Sequence, residues 1–151
     1  METVRKLLDH MYRSDEGMLE ALRAGGGTNA EAIRLYAHVL RGEQVWMVRL
    51  KGQSIEQLEI WPEDNLDDCA KAAKANRAAY TAYFDALSPE RLDEMVIYGY
   101  PGRPYQASIR DILTHVAMHG QYHRGQINAK IRAVGGEPVS VDYIKLFRSV
   151  L

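Results

Sequence analysis

Four long stretches of this chain repeat their apolar residues at the helical period, and breaks rich in Gly, Pro and Asn separate them. That pattern narrows the fold more than any other feature, because amphipathic helices without intervening strands must bury their stripes against one another. The first stretch runs from Thr3, a candidate N-cap, to Arg23, where AGGG stops it. Val4, Leu7, Leu8, Met11, Met18, Leu19 and Leu22 share one stripe there. The second runs from Asn29 to Lys51 and is apolar on two sides. Leu35, Val39, Gly42, Trp46 and Leu50 form one side, and Ile33, Tyr36, Ala37, Leu40 and Met47 the other. A two-sided helix in a small bundle points to a homodimer contact. After a break at IWPEDN, the third stretch covers Leu66 to Leu87, and the fourth runs from Ser108, another N-cap, to Val134 before Gly135-Gly136. The segment between the third and fourth reads as a loop or short irregular hairpin around PGRP. The tail VSVDYIKLFRSVL holds a short amphipathic helix that could cover one end of the bundle.

With 151 residues the chain is expected to form a single domain, residues 1–151, large enough to bury a core without staples. Its net charge of −1 gives no electrostatic reason to expect nucleic acid as a partner. No apolar run is long enough for a membrane span, and METVRKLLDHMYRSDE carries charges where a signal peptide would be apolar. The one cysteine, Cys69, cannot form an internal disulfide, which suits a cytoplasmic location. Cys69 lies on the stripe of the third helix and reads as a packed residue. Trp46 and Trp61 read as packing in the core and in a loop.

Two kinds of residue break these stripes. Asp15 occupies a stripe position where leucine is expected. It is either a surface acid on an imperfect stripe or a buried carboxylate that needs a partner, because an unpaired buried charge is costly. Arg77, on the stripe of the third helix, is within reach as that partner. The histidines are the other anomaly. His115, His119 and His123 recur every four residues in HVAMHGQYHRGQI. Side chains four apart share a helix face, so two such imidazoles can meet one ion. Eight residues separate the outer pair by about 12 Å, too far for three to share it. Relative to the apolar face, His123 lies about 50° from the centre, His119 about 90° and His115 about 130°. His119 and His123 are therefore the inward pair. His115 flanks them, with Asp111 as a surface partner. A third ligand must come from another helix, where His38 borders the apolar face of the second. His10 lies off its stripe and reads as a surface residue. Taken alone, His38 reads better as a hydrogen-bonded structural histidine than as a ligand.

Arg124 and Gln126 flank Gly125 and read better as cross-helix bonds than as substrate contacts. Gly120 and Gly125 read as close-packing positions, since each costs the helix about 1 kcal/mol relative to alanine. Glu43, five residues past His38, points about 140° away from it and is a weak candidate for the site.

YAHVLRGEQVWMVRL, LTHVAMHGQYHRGQI and the closing VDYIKLF resemble the DinB-like superfamily of bacterial proteins, over essentially the whole chain. The resemblance implies an all-α, four-helix bundle with up-down-down-up topology, a long crossover between the second and third helices, and a dimer. It implies a divalent-metal triad at His38, His119 and His123, with nickel or zinc as the metal. Some relatives are transferases or isomerases that use low-molecular-weight thiols. Three neutral imidazoles would leave an open coordination position, the pattern of catalytic zinc sites. A thiol or water there could be activated for transfer to a small electrophile, with Asp15 as acceptor for a ligating imidazole N–H. The alternative is a non-catalytic dimeric stress-associated protein with a structural or vestigial metal. A DNA-binding regulator lacks a basic patch, and a ferritin-like di-iron site lacks its Glu-x-x-His pairs.

Overall fold

Three of the four long helices begin where a side chain offers the helix terminus a hydrogen-bond acceptor. The computed structural model describes residues 1–100 and 102–149. Its elements are α1 (Glu2–Ala24), α2 (Ala30–Leu50), α3 (Leu66–Asp85), a 3-10 turn (Pro89–Asp93), β1 (Met95–Tyr100), β2 (Arg103–Ser108), α4 (Ile109–Ala133) and α5 (Tyr143–Phe147). The Asn29 side chain accepts from the Ala32 amide, Asn65 from Asp67 and Asp68, and Ser108 from Asp111. These bonds satisfy amides that the helices themselves leave open. α1 starts one residue before the expected cap and has no side-chain cap. It ends at Gly26 and Gly27, whose φ of 80° and 65° carry the chain through the left-handed region that other residues avoid.

The core shows how the helices run. One cluster joins Val4 and Leu8 at the start of α1 with Met47 and Leu50 at the end of α2, Tyr80 and Phe84 at the end of α3, and Ile109–Val116 at the start of α4. A second cluster joins Met18 and Leu22 of α1, Tyr36 and Leu40 of α2, Cys69 of α3, and Ile127 and Ile131 of α4. α1 and α4 therefore point one way, α2 and α3 the other, which is the up-down-down-up bundle. α1 and α2 sit at opposite corners, each packed between α3 and α4. Because α2 and α3 are parallel, residues 51–65 must return along the length of the bundle. Both apolar sides of α2 find partners within the chain, since Ile33 and Leu35 pack on the second cluster and Trp46 on the first. No helix among the described residues is long and apolar enough to cross a membrane.

Between the two clusters lies a layer that is not apolar. Asp15 of α1, Glu43 of α2, Asn76 of α3 and Arg124 of α4 are all buried at the same height.

Three elements differ from the sequence reading. The segment before α4 is a regular antiparallel hairpin from Met95↔Ser108 to Tyr100↔Arg103, with Val96 and Ala107 packed on the first core cluster. Val96 and Ala107 are only half-buried, while Ile97 and Tyr105 face solvent, so the strand pattern is weak in the sequence. The tail lies along the sides of α1 and α4 instead of over one end. Asn128 bonds both the N–H and the carbonyl of Val139, and Gln121 donates to the Val141 carbonyl. That tail also buries His10, expected at the surface, whose Nε2 donates to the Val141 carbonyl at 2.9 Å.

Leu113 of α4 is fully enclosed by the first cluster. Leu113→Ala should lower the unfolding free energy by about 2–5 kcal/mol in urea titrations. A loss under about 1 kcal/mol would show that this face of α4 is not tightly packed.

Candidate metal centre

The seam between α2 and α4 carries the histidines. The helices run antiparallel, so one turn of α2 meets one turn of α4 at each step: His38 with His123, Gly42 with His119, and Trp46 with His115. Gly42 is what lets the helices close at the middle step. A Cβ there would lie 3.1 Å from Cε1 and 3.3 Å from Nδ1 of His119, tighter than ordinary van der Waals contact.

His38, His119 and His123 converge, each offering a nitrogen within 4.8 Å of the others. Their ring centroids are 4.6 Å apart for His119–His123, 4.9 Å for His38–His123 and 5.5 Å for His38–His119. His115 stands outside this group. Its ring lies 5.8 Å from His119 and 5.0 Å from Trp46. The Asp111 partner expected for it is engaged elsewhere, with Asp111 Oδ2 accepting from the Ser108 hydroxyl.

Two of the three imidazoles have their outer nitrogen fixed. His38 Nδ1 donates to the Ile60 carbonyl at 2.9 Å, and His123 Nδ1 donates to Gln126 Oε1 at 2.7 Å. Each bond assigns the proton to Nδ1 and leaves Nε2 as the lone-pair nitrogen. The returning crossover roofs the site. Trp61 stacks on His38 with centroids 3.7 Å apart and planes 8° from parallel, and the Arg34 guanidinium lies 5.3 Å from the Trp61 ring.

The surroundings favour neutral rings. Burial, then the neighbouring imidazoles His123, His38 and His115, then Arg124, push His119 down to about 4. Burial and His123 lower His38 against the opposing pull of the Ile60 carbonyl. Metals bind the neutral imidazole, so at neutral pH these donors are in the ligating form. The donor set and its outer hydrogen bonds therefore fit a divalent ion. A cavity of about 570 Å³ lies between the crossover and the hairpin, lined by Arg49, Gln53, Tyr98 and Ile60 among others and by none of the three histidines. Ile60 is the residue whose carbonyl holds His38.

Asp15 does not serve an imidazole. Its Oδ1 accepts from Arg124 Nη2 at 2.6 Å and Nε at 3.3 Å, deep in the core. The imidazole N–H groups of His38 and His123 donate instead to the Ile60 carbonyl and to Gln126 Oε1. Arg77 is not its partner either, because Arg77 pairs with Glu16 at the surface. Glu43 faces the core, where Asn76 Nδ2 donates to its Oε2 at 2.8 Å. Arg124 bonds across helices as read from the sequence, whereas Gln126 braces His123 within its own helix. Of the two glycines read as packing positions, Gly120 lies under the Arg124 guanidinium, but a Cβ at Gly125 would meet nothing within 4 Å. Sequence reasoning missed Ile60 because a backbone carbonyl has no signature. It missed Gln126 as a brace although a glutamine three residues after a helical histidine is a usable signal.

The DinB family profile matches residues 1–149, nearly the whole chain. The chain belongs to the DinB family. No curated protein matches it.

An imidazole with a depressed pKa binds fewer protons folded than unfolded, so its contribution to stability is lost as pH falls. For His119 that window runs from its ordinary 6.5 down to about 4. The thermal midpoint of metal-free protein should therefore fall over this range, and fall less steeply in His119→Gln. Parallel curves for the two proteins would mean that His119 titrates freely in the fold.

Proposed function

We propose that this protein binds one divalent ion, nickel or zinc, through His38, His119 and His123, and activates a thiol or water for transfer to a small electrophile. The convergence of three imidazoles from two helices carries this reading. An ion held there supplies Lewis acidity, which makes a thiol or water nucleophilic near neutral pH.

The protein's own residues supply position and access. Gln126 and the Ile60 carbonyl hold His123 and His38 with Nε2 toward the ion, so neither ring must reorient on binding. Trp61 covers one face of His38 and limits water on that side. A small substrate would sit in the cavity that Ile60 also lines, between the crossover and the hairpin. Its wall mixes Ile55, Leu58 and Ile97 with Arg49, Gln53 and Glu56, which suits a molecule with both apolar and polar parts. A low-molecular-weight thiol and a small electrophile are the partners this arrangement accommodates.

Elemental analysis of purified protein tests the site directly. Wild type should carry nickel or zinc at close to one ion per chain, and His38→Ala and His123→Ala should lose it. Wild type that takes up neither metal, even after loading, would remove the basis for a metalloenzyme. Loaded protein that leaves every thiol–electrophile pair unreacted would favour the non-catalytic alternative.

A further inference from the structure

The largest fully buried side chain in the molecule is a charged one, Arg124, with no exposure. It follows His123 directly in α4 and points the opposite way, into the bundle. Its guanidinium folds back over Gly120, where a Cβ would stand 2.8 Å from Nη1 and 2.9 Å from Nη2. The same two turns of α4 thus carry imidazoles on one side and the guanidinium on the other. Arg124 reaches Asp15 and the Met11 carbonyl of α1, and its Nη2 lies 3.8 Å from Glu43 Oε1 of α2.

The network continues behind α2. Asn76 of α3 donates from Nδ2 to the Leu40 carbonyl at 2.9 Å and to Glu43, and the Tyr80 hydroxyl donates to the Glu43 carbonyl at 2.8 Å. Leu40 and Glu43 bracket Gly42, the residue that faces His119. Tyr36 of α2 closes the circuit by donating to the Asp15 carbonyl. Each helix is therefore pinned at the height of the triad.

Stability alone is a poor reason for such a layer. Buried ionic clusters are often replaceable by packed apolar residues without loss. Here Arg124 Nη1 is buried without a hydrogen-bond partner. What a guanidinium fork supplies and leucine does not is direction, since a one-residue slide of α4, about 1.5 Å, breaks it.

We propose that the Arg124–Asp15–Glu43–Asn76 cluster is a positioning device that fixes the register of α4 against α2 and so sets the affinity and geometry of the His38–His119–His123 site. The inference rests on the metal-binding reading above. None of the four residues touches the ion. They act through the helix backbones that carry its ligands.

Gly120→Ala and Arg124→Lys test it, with Gly125→Ala as the control on the same helix. Alanine at 120 displaces the guanidinium while leaving every charge and ligand in place, and it is the better helix former. In both test variants the Zn²⁺ dissociation constant, measured by competition with a chromophoric chelator, should rise ten- to a hundredfold. The visible d–d bands of the Co²⁺-loaded protein should shift in position or intensity. Gly125→Ala should match wild type in both. Folding is checked by circular dichroism, and either variant that folds decides the matter. Variants that melt earlier without metal yet keep wild-type Zn²⁺ affinity and Co²⁺ spectrum would reduce the cluster to a structural role and overturn the proposal. Wild type that binds neither ion would instead bring down the metal reading and this one with it, so wild-type binding distinguishes the two failures.

Discussion

One guanidinium and two carboxyl groups share the centre of this bundle, and the rest of the structure is arranged around keeping them together. Arg124, Asp15 and Glu43 are buried with almost no access to water. Arg124 can neutralise only one carboxylate, and Asp15 holds two of its N–H groups. Glu43 is therefore pushed well above the usual carboxylate range by burial first and by the charge of Asp15 second, against the pull of Arg124 and Asn76. Keeping its proton leaves the layer close to neutral, which is the condition for burying it at all. The apolar core consequently divides into two clusters, one on each side of this layer.

That division sets where chemistry can sit. At the height of the layer α2 and α4 meet through Gly42 and His119, because the volume between them is already taken up on the inner side by Arg124. Imidazoles on the outer side of the same turns are left at a half-buried seam with apolar packing above and below. Burial lowers the pKa of His38 and of His119, the latter to about 4. The crossover adds what the helices lack. Parallel α2 and α3 force residues 51–65 along the bundle, and this necessary return carries Ile60 and Trp61 over His38.

The helices were legible because apolar stripes repeat over many turns and Ser108 marks the start of the fourth by known chemistry, whereas their directions were implied only by the family resemblance. The pair His119 and His123 was legible for the same reason, since spacing on one helix fixes relative direction. Asp15 was visible as an anomaly on its stripe, yet its partner was not. Arg124 is distant in sequence, and spacing says nothing about which helix faces which. Assigning Asp15 to an imidazole followed from placing the polar residues in one site, whereas the bundle places them on opposite sides of α4. His10 was read as a surface residue because only α1 was considered, and the tail that buries it comes from the far end of the chain. The hairpin was blurred because one face of it is exposed and apolar at Ile97 and Tyr105.

The three imidazoles are not held alike, and the difference follows from where each bond comes from. His38 is fixed by a backbone carbonyl and a stacked indole, both on the crossover. His123 is fixed by Gln126, an exposed side chain that also donates to the exposed Tyr122 hydroxyl. A flexible surface amide restrains a ring less than a backbone carbonyl does, because its own rotamers must first be frozen. The α4 side of the site therefore gains more from a restraint on its backbone than the α2 side does. Arg124, next to His123 and anchored on a different helix, supplies that restraint from within the core. The buried charge and the outward imidazoles thus belong to one arrangement, in which an inflexible inner contact compensates for a loose outer one.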